Sequence, residues 1–130
     1  MKEKKRFLKG EEGFTLIEII AILIILGILA AVAVPKYIDL TANAELRALD
    51  AGISELNGRE SLTWANLKIS SAGWVDDATT YAALDTGLGA DYAWTVGPAV
   101  GGGTLGFGSQ TVVLTRTAST TTSPGNWAGP

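Results

Sequence analysis

From Phe14 to Val34 the chain runs for 21 residues with one charged side chain among them, Glu18. At about 1.5 Å of rise per residue, a helix of that length covers the roughly 30 Å of a bilayer's hydrocarbon core. The run is therefore long enough to span a membrane. A carboxylate inside such a run costs about 2.5–3.5 kcal/mol on insertion scales, so Glu18 needs a reason and a partner. A plain membrane anchor explains the length of the run and its basic flank, but not Glu18 placed five residues after a glycine. A secretory signal fits poorly, because its apolar core is about 7–15 residues long with the cleavage site behind it. Here the only clear processing signal lies in front of the run.

Residues Gly13-Phe14-Thr15-Leu16-Ile17-Glu18 resemble the class III signal of type IV pilins and of the pseudopilins of type II secretion. The resemblance is strong over residues 10–45 and extends to Gly27 and Pro35, which sit where members of that family commonly carry them. It implies cleavage between Gly13 and Phe14 by a prepilin peptidase, N-methylation of the new terminal Phe14, and assembly through Phe14 and Glu18. The chemistry of the residues agrees. Cleavage leaves an α-amino group whose unperturbed pKa is about 7.7–8.0. Glu18 of one subunit can meet the Phe14 ammonium of a neighbour in a bundle of packed helices, and methylation preserves that charge. Such a pair sets register, and losing one partner typically costs about 3–5 kcal/mol.

The leader, residues 1–13, holds five basic residues (Lys2, Lys4, Lys5, Arg6, Lys9) against Glu3, Glu11 and Glu12, a net charge of +2. A basic flank stays cytoplasmic, which orients the chain N-in. The remaining residues carry five basic and ten acidic side chains, a net of −5. That balance argues against a generic nucleic-acid surface, and no direct nucleic-acid site is evident. There is no cysteine and no histidine. Nucleophilic triads, most zinc sites and easy acid–base chemistry at neutral pH are thereby excluded, so no enzyme and no cofactor is expected. Many type IV pilins close a C-terminal loop with a disulfide, and this chain departs from that pattern.

Past the apolar run, Gly27 and Pro35 bracket a weak stretch of helix, since glycine costs about 1 kcal/mol and proline about 3 kcal/mol in a helix interior. A kink at the membrane surface and local melting within a packed filament are both open readings. Ile38, Ala42, Leu46, Leu49, Ile53 and Leu56 then recur at helical spacing, an apolar stripe for a sheet to cover. Gly52 and Asn57-Gly58 weaken this helix, which is expected to reach about Lys68, with a break possible on the way. Asp77–Leu84 reads as a short helix and Asp85–Asp91 as a Gly-rich connection. Strands follow around Tyr92, Trp94 and Val96, around Leu105 and Phe107, and over Thr111–Thr117, where β-branched residues concentrate. Thr120–Pro130 reads as a polar, mobile tail.

The expected organisation is a leader (1–13), a transmembrane and filament-core helix (14–34), an amphipathic helix (35–68), a β-sheet head (69–119) and a tail (120–130). The fold class is α+β: a long N-terminal helix packed on a small antiparallel sheet, the lollipop of pilins. Asp76, Asp77, Asp85 and Asp91 are oxygen donors for calcium by chemistry, but their spacing misses the D-x-[DN]-x-[DN]-G loop, and solvated acidic loops explain them better. No metal site is assigned. Gly97–Gly103 lacks the Gly-Lys-Ser/Thr of a phosphate cradle and reads as a hairpin connection. Trp64, Trp74, Trp94 and Trp127 are expected in core and interface, and Tyr37 in an interfacial belt.

The resemblance implies a structural subunit of a type IV pilus, held in the bacterial inner membrane and then polymerised into a homo-oligomeric surface filament for adhesion, motility or DNA uptake. Its implied partners are the prepilin peptidase/N-methyltransferase, an assembly ATPase and an inner-membrane platform protein. The alternatives are a pseudopilin of a periplasmic type II secretion piston and a membrane-anchored binding domain that never polymerises. Retention of Glu18 argues against the tip pseudopilin, and the lack of a recognisable calcium-holding head tilts the reading toward the pilus.

Overall fold

The computed structural model describes residues 13–130. The first helix, α1, spans Leu16–Ile69, 54 residues. The chain divides into two compact units, the first ending at Asp39 and the second comprising Leu40–Pro130.

In the first unit the helix starts at Leu16 and presents its apolar side chains outward on every face, with Phe14 77 % exposed. Among the described residues nothing buries this surface. Pro35 lies inside the helix, and residues 27–35 are helical throughout. Proline deletes one backbone hydrogen bond there, but the turns on either side keep theirs.

In the second unit α1 is amphipathic. Leu49, Gly52, Leu56 and Glu60, at spacings of three, four and four, form its buried face. The expected stripe is thus corrected. Leu49 and Leu56 are core and Ile53 packs against it, whereas Leu46 is exposed, as is Ile38 in the first unit. The helix also runs unbroken through Asn57-Gly58. Asn57 serves another purpose: its amide donates to the Trp127 carbonyl at 2.9 Å and accepts from the Trp127 N–H at 2.6 Å. The side chain thereby supplies both hydrogen bonds that a neighbouring strand would otherwise make.

After α1, Asp76 caps the short helix α2 (Asp77–Ala83) by accepting from the Thr79 N–H at 2.8 Å. The Thr79 hydroxyl, which also donates to Asp76, holds this carboxyl below its usual range. Four antiparallel strands follow in sequence order across the sheet: β1 (Tyr92–Ala99), β2 (Gly102–Phe107), β3 (Gln110–Thr117) and β4 (Asn126–Ala128). The Gly97–Gly103 stretch carries the β1–β2 hairpin. Gly102, at φ +130°, must be glycine, because a Cβ there would overlap the Leu114 carbonyl.

Side chains alternate across the sheet. Leu105 and Leu114 point inward with Trp94, Val112 and Trp127, and join Leu49, Leu56 and Leu84 in one core. Opposite rows point outward: Val96, Thr104 and Val113 pair across three strands, and Ala99, Gly102, Thr115 and Ala128 across four.

The segment read as a mobile tail is instead part of the packed head. β4 pairs with β3, and Trp127 is 1 % exposed, its ring 5.7 Å from that of Trp94. Before it, Thr120 closes a turn onto Ser123, while Trp64 donates to the Thr120 carbonyl and Lys68 to that of Thr121. Hydroxyl-rich composition suggested solvation, but one large aromatic ring outweighs it by filling the core.

Beside Trp127 lies a buried ionic cluster. The Arg116 guanidinium makes a two-pronged contact with Glu60 and another with Asp77, at 2.9 and 2.7 Å for the latter. The side chains of Arg116 and Glu60 have no exposed surface. Trp127 Nε1 donates to Glu60 at 3.0 Å, and the Ser119 N–H and hydroxyl both donate to Asp77 at 2.7 Å. Every buried side-chain polar atom among the described residues has a partner.

The Arg116 guanidinium, aided by Ser119 and opposed by partial burial, depresses the Asp77 carboxyl from 3.8 to about 2. A depressed carboxyl stabilises the fold above its unfolded pKa and stops doing so as pH falls through the folded value. The contribution is about 2 kcal/mol, present above about pH 4 and lost toward pH 2. Urea midpoints of the full chain in detergent, followed by tryptophan near-UV circular dichroism, should drop between pH 4 and pH 2. Asp77→Asn should flatten that part of the curve.

Gly52 explains a second feature. A Cβ there would lie 2.8 Å from the Tyr92 ring and 3.3 Å from Leu88. The ring is fixed, since its hydroxyl donates to the Ala48 carbonyl at 2.7 Å and its face meets Phe107 at 4.9 Å. Gly52→Val should therefore cost about 1–3 kcal/mol by overpacking, despite removing a helix-weakening glycine. A denaturation midpoint equal to the parent's would contradict this.

Candidate processing and assembly site

Gly13 and Phe14 precede α1, and both are exposed. No atom lies within 4 Å of where a Gly13 Cβ would be. The rest of the leader, including its basic residues, lies outside the described residues. Thr15 is the residue before the first helical turn, and it meets Glu18 reciprocally. The Thr15 N–H donates to Glu18 Oε2 at 2.7 Å, and the Glu18 N–H donates to Thr15 Oγ1 at 3.3 Å. This is a capping box: each side chain satisfies a backbone donor that the helix start leaves open. The carboxylate also sits at the positive end of the helix dipole.

Sequence reasoning placed Glu18 but missed Thr15. The signal was present, since Thr-x-x-Glu ahead of an apolar run is a helix-start pattern. Within a single chain, then, the apolar run's one charge is held by its own helix start. Gly27 and Pro35 lie farther along the same helix and are not brought to this site.

The family described as the prokaryotic N-terminal methylation motif matches residues 8–34. A fimbrial protein of Pseudomonas aeruginosa is 43 % identical over 49 residues, which is 38 % of this chain and 32 % of that protein. The major component of the type IV narrow pilus of Thermus thermophilus is 50 % identical over 40 residues, 31 % of this chain and 34 % of that one. A type IV major pilin of Neisseria gonorrhoeae is 56 % identical over 36 residues, 28 % of this chain and 22 % of that one.

The N-terminal segment is similar to that of type IV pilins. The matches span about a third or less of the length of these curated relatives. No solved structure matches the chain. The pilin-type segment contains all four residues of the site, Gly13, Phe14, Thr15 and Glu18, within the matched range.

Three of the four aspartates considered as oxygen donors are otherwise engaged. Asp77 binds Arg116, Asp76 caps α2, and Asp85 accepts from the Gly87 N–H at 2.9 Å and faces Arg59 at 3.4 Å. Arg59 also donates to the Asp85 and Gly87 carbonyls, so its guanidinium holds the 84–91 connection to α1. Among the described residues no group of three metal-ligating side chains comes together.

Proposed function

We propose that the chain is the structural subunit of a type IV pilus. It is cut between Gly13 and Phe14 by a prepilin peptidase, N-methylated at Phe14, and polymerised through its N-terminal helix. The observation that carries this reading is the helix surface over Leu16–Val34, which is apolar on all faces and uncovered among the described residues, with Glu18 at its start. Such a surface has two physical homes, a bilayer and a bundle of its own copies. Lipid and bundle are similarly apolar, so packing and polar contacts decide between them. The matched methylation motif and the pilin relatives support the second as the end state.

In the assembled filament Glu18 turns from its own Thr15 toward the Phe14 ammonium of a neighbour. Turns around Gly27 and Pro35 are the cheapest to unwind there, which gives a stretch able to lengthen under load. An assembly ATPase and a platform protein supply the work, and the chain itself catalyses nothing.

The test is the intact mass of the protein in a fraction sheared from the cell surface. The expected species lacks residues 1–13 and carries one added methyl group. A processed species confined to the membrane would replace the pilus with a pseudopilus. A full-length species would mean that the Gly13–Phe14 bond is not cut and that the segment is a plain anchor.

A further inference from the structure

From Tyr92 to Pro130 the chain has one charged side chain in 39 residues, Arg116, and it is buried. The outer face of the sheet is therefore free of charge. Soluble proteins ordinarily place lysines and glutamates on such faces and edges to keep copies apart. Here the outward positions are small or β-branched: Val96, Thr104 and Val113 in one row, with Thr111, Thr115 and Ala99 flanking it. Val96 and Val113 are each 64 % exposed. The side chains there are short and are interspersed with glycines on β2, while the β1 register shifts on both sides of Val96.

We propose that this outer sheet face is a contact surface between copies of the chain, the face of one head stacking on that of another. The charge distribution selects this occupant. Residues 14–130 carry ten acidic and five basic side chains, and all but Arg116 lie before Tyr92, on α1, α2 and their connections. Two copies that approach through those elements bring like charges together. Two that approach through the sheets do not. The same face offers no cation for a phosphate. It also offers no aromatic ring for stacking a sugar, since Tyr92, Trp94, Phe107 and Trp127 all lie on the inner face. Sheet faces stack at about 10 Å, close enough for Thr and Val side chains to interdigitate. The contact goes beyond the proposed assembly through the N-terminal helix and does not depend on it.

Because the sequence has no cysteine, single cysteines report the contact directly. Val113→Cys and Thr104→Cys are placed in the full chain and treated with a bis-maleimide of about 10 Å span, the spacing of stacked sheets. Both the membrane fraction and the sheared surface fraction are examined. Asp50→Cys, on the exposed side of α1, is the control. The expected result is a covalent dimer from Val113→Cys and Thr104→Cys, at least tenfold above the control and lost when Val96→Lys is added. Near-UV circular dichroism of the Val96→Lys chain should match the parent. Dimers in the membrane fraction alone would support the face contact while removing the pilus reading. No dimer in either fraction, a yield equal to that of Asp50→Cys, indifference to Val96→Lys, or cross-linking to a different species in place of the dimer would each overturn the proposal.

Discussion

Arg116→Leu should destabilise the head by about 3–5 kcal/mol, the usual cost of breaking a buried ion pair from one side. The substitution removes the single cation shared by Glu60 and Asp77. Glu60 would then keep Trp127 Nε1 as its remaining donor in a site with no exposed surface. Domains of ordinary size are stable by about 5–15 kcal/mol, and small ones without disulfides sit at the low end, so the loss is a large share of the total. Arg116→Lys should rescue little, because one ammonium cannot reproduce two forked contacts on two carboxylates. The measurement is the urea midpoint of the full chain in detergent, read from tryptophan near-UV circular dichroism. Glu60→Gln combined with Arg116→Leu should cost clearly less than the sum of the two single changes, the signature of residues acting as a unit. A loss below about 1 kcal/mol for Arg116→Leu would mean that the cluster is dispensable.

Glu18→Ala should leave membrane insertion intact, since it removes a charge costing about 2.5–3.5 kcal/mol in the bilayer, yet abolish filaments. The capping box adds a rival explanation, because alanine also deletes the acceptor for the Thr15 N–H. Glu18→Gln separates the two. Glutamine serves in a capping box as glutamate does, but carries no charge for a neighbour's ammonium. If register depends on the charge pair, Glu18→Gln fails as completely as Glu18→Ala, while Thr15→Ala, which keeps its backbone N–H, still assembles. Normal filaments from Glu18→Gln would assign Glu18 to helix capping alone. Electron microscopy of sheared fractions, with immunoblots of membranes for insertion, reads both outcomes.

Local patterns made much of this molecule legible. The apolar run, the glycine boundary, the short helix after Asp76 and the alternation in three strands follow from neighbours within a few residues. The core and the cluster did not follow, because their partners are far apart in sequence. Glu60 meets Arg116 at a separation of 56 residues, and Asn57 meets Trp127 at 70. Asn57-Gly58 reads as a helix stop by propensity, and packing against β4 overrides it. One clue was available for Arg116: Val112 and Leu114 face inward, so a strict period of two places Arg116 inward as well. A buried guanidinium demands carboxylates, and Glu60 on the helix stripe was a candidate. Gly52 was taken as a weakness of the helix, and only the Tyr92 ring beside it shows what the missing side chain makes room for.

The position of Trp127 has a consequence for how the chain is made. The helix face carrying Leu56 and Glu60 leaves the ribosome long before the ring that completes its surroundings; 67 residues separate Glu60 from Trp127. At translation rates of about 5–20 residues per second, that is a wait of roughly 3–13 s. Throughout it, Asn57 has no strand to hold and Glu60 lacks its indole; the guanidinium is synthesised 56 residues after Glu60, shortly before the interval ends. The contacts that close the head's core around Leu56, Asn57 and Glu60 therefore form only after Trp127 has been synthesised.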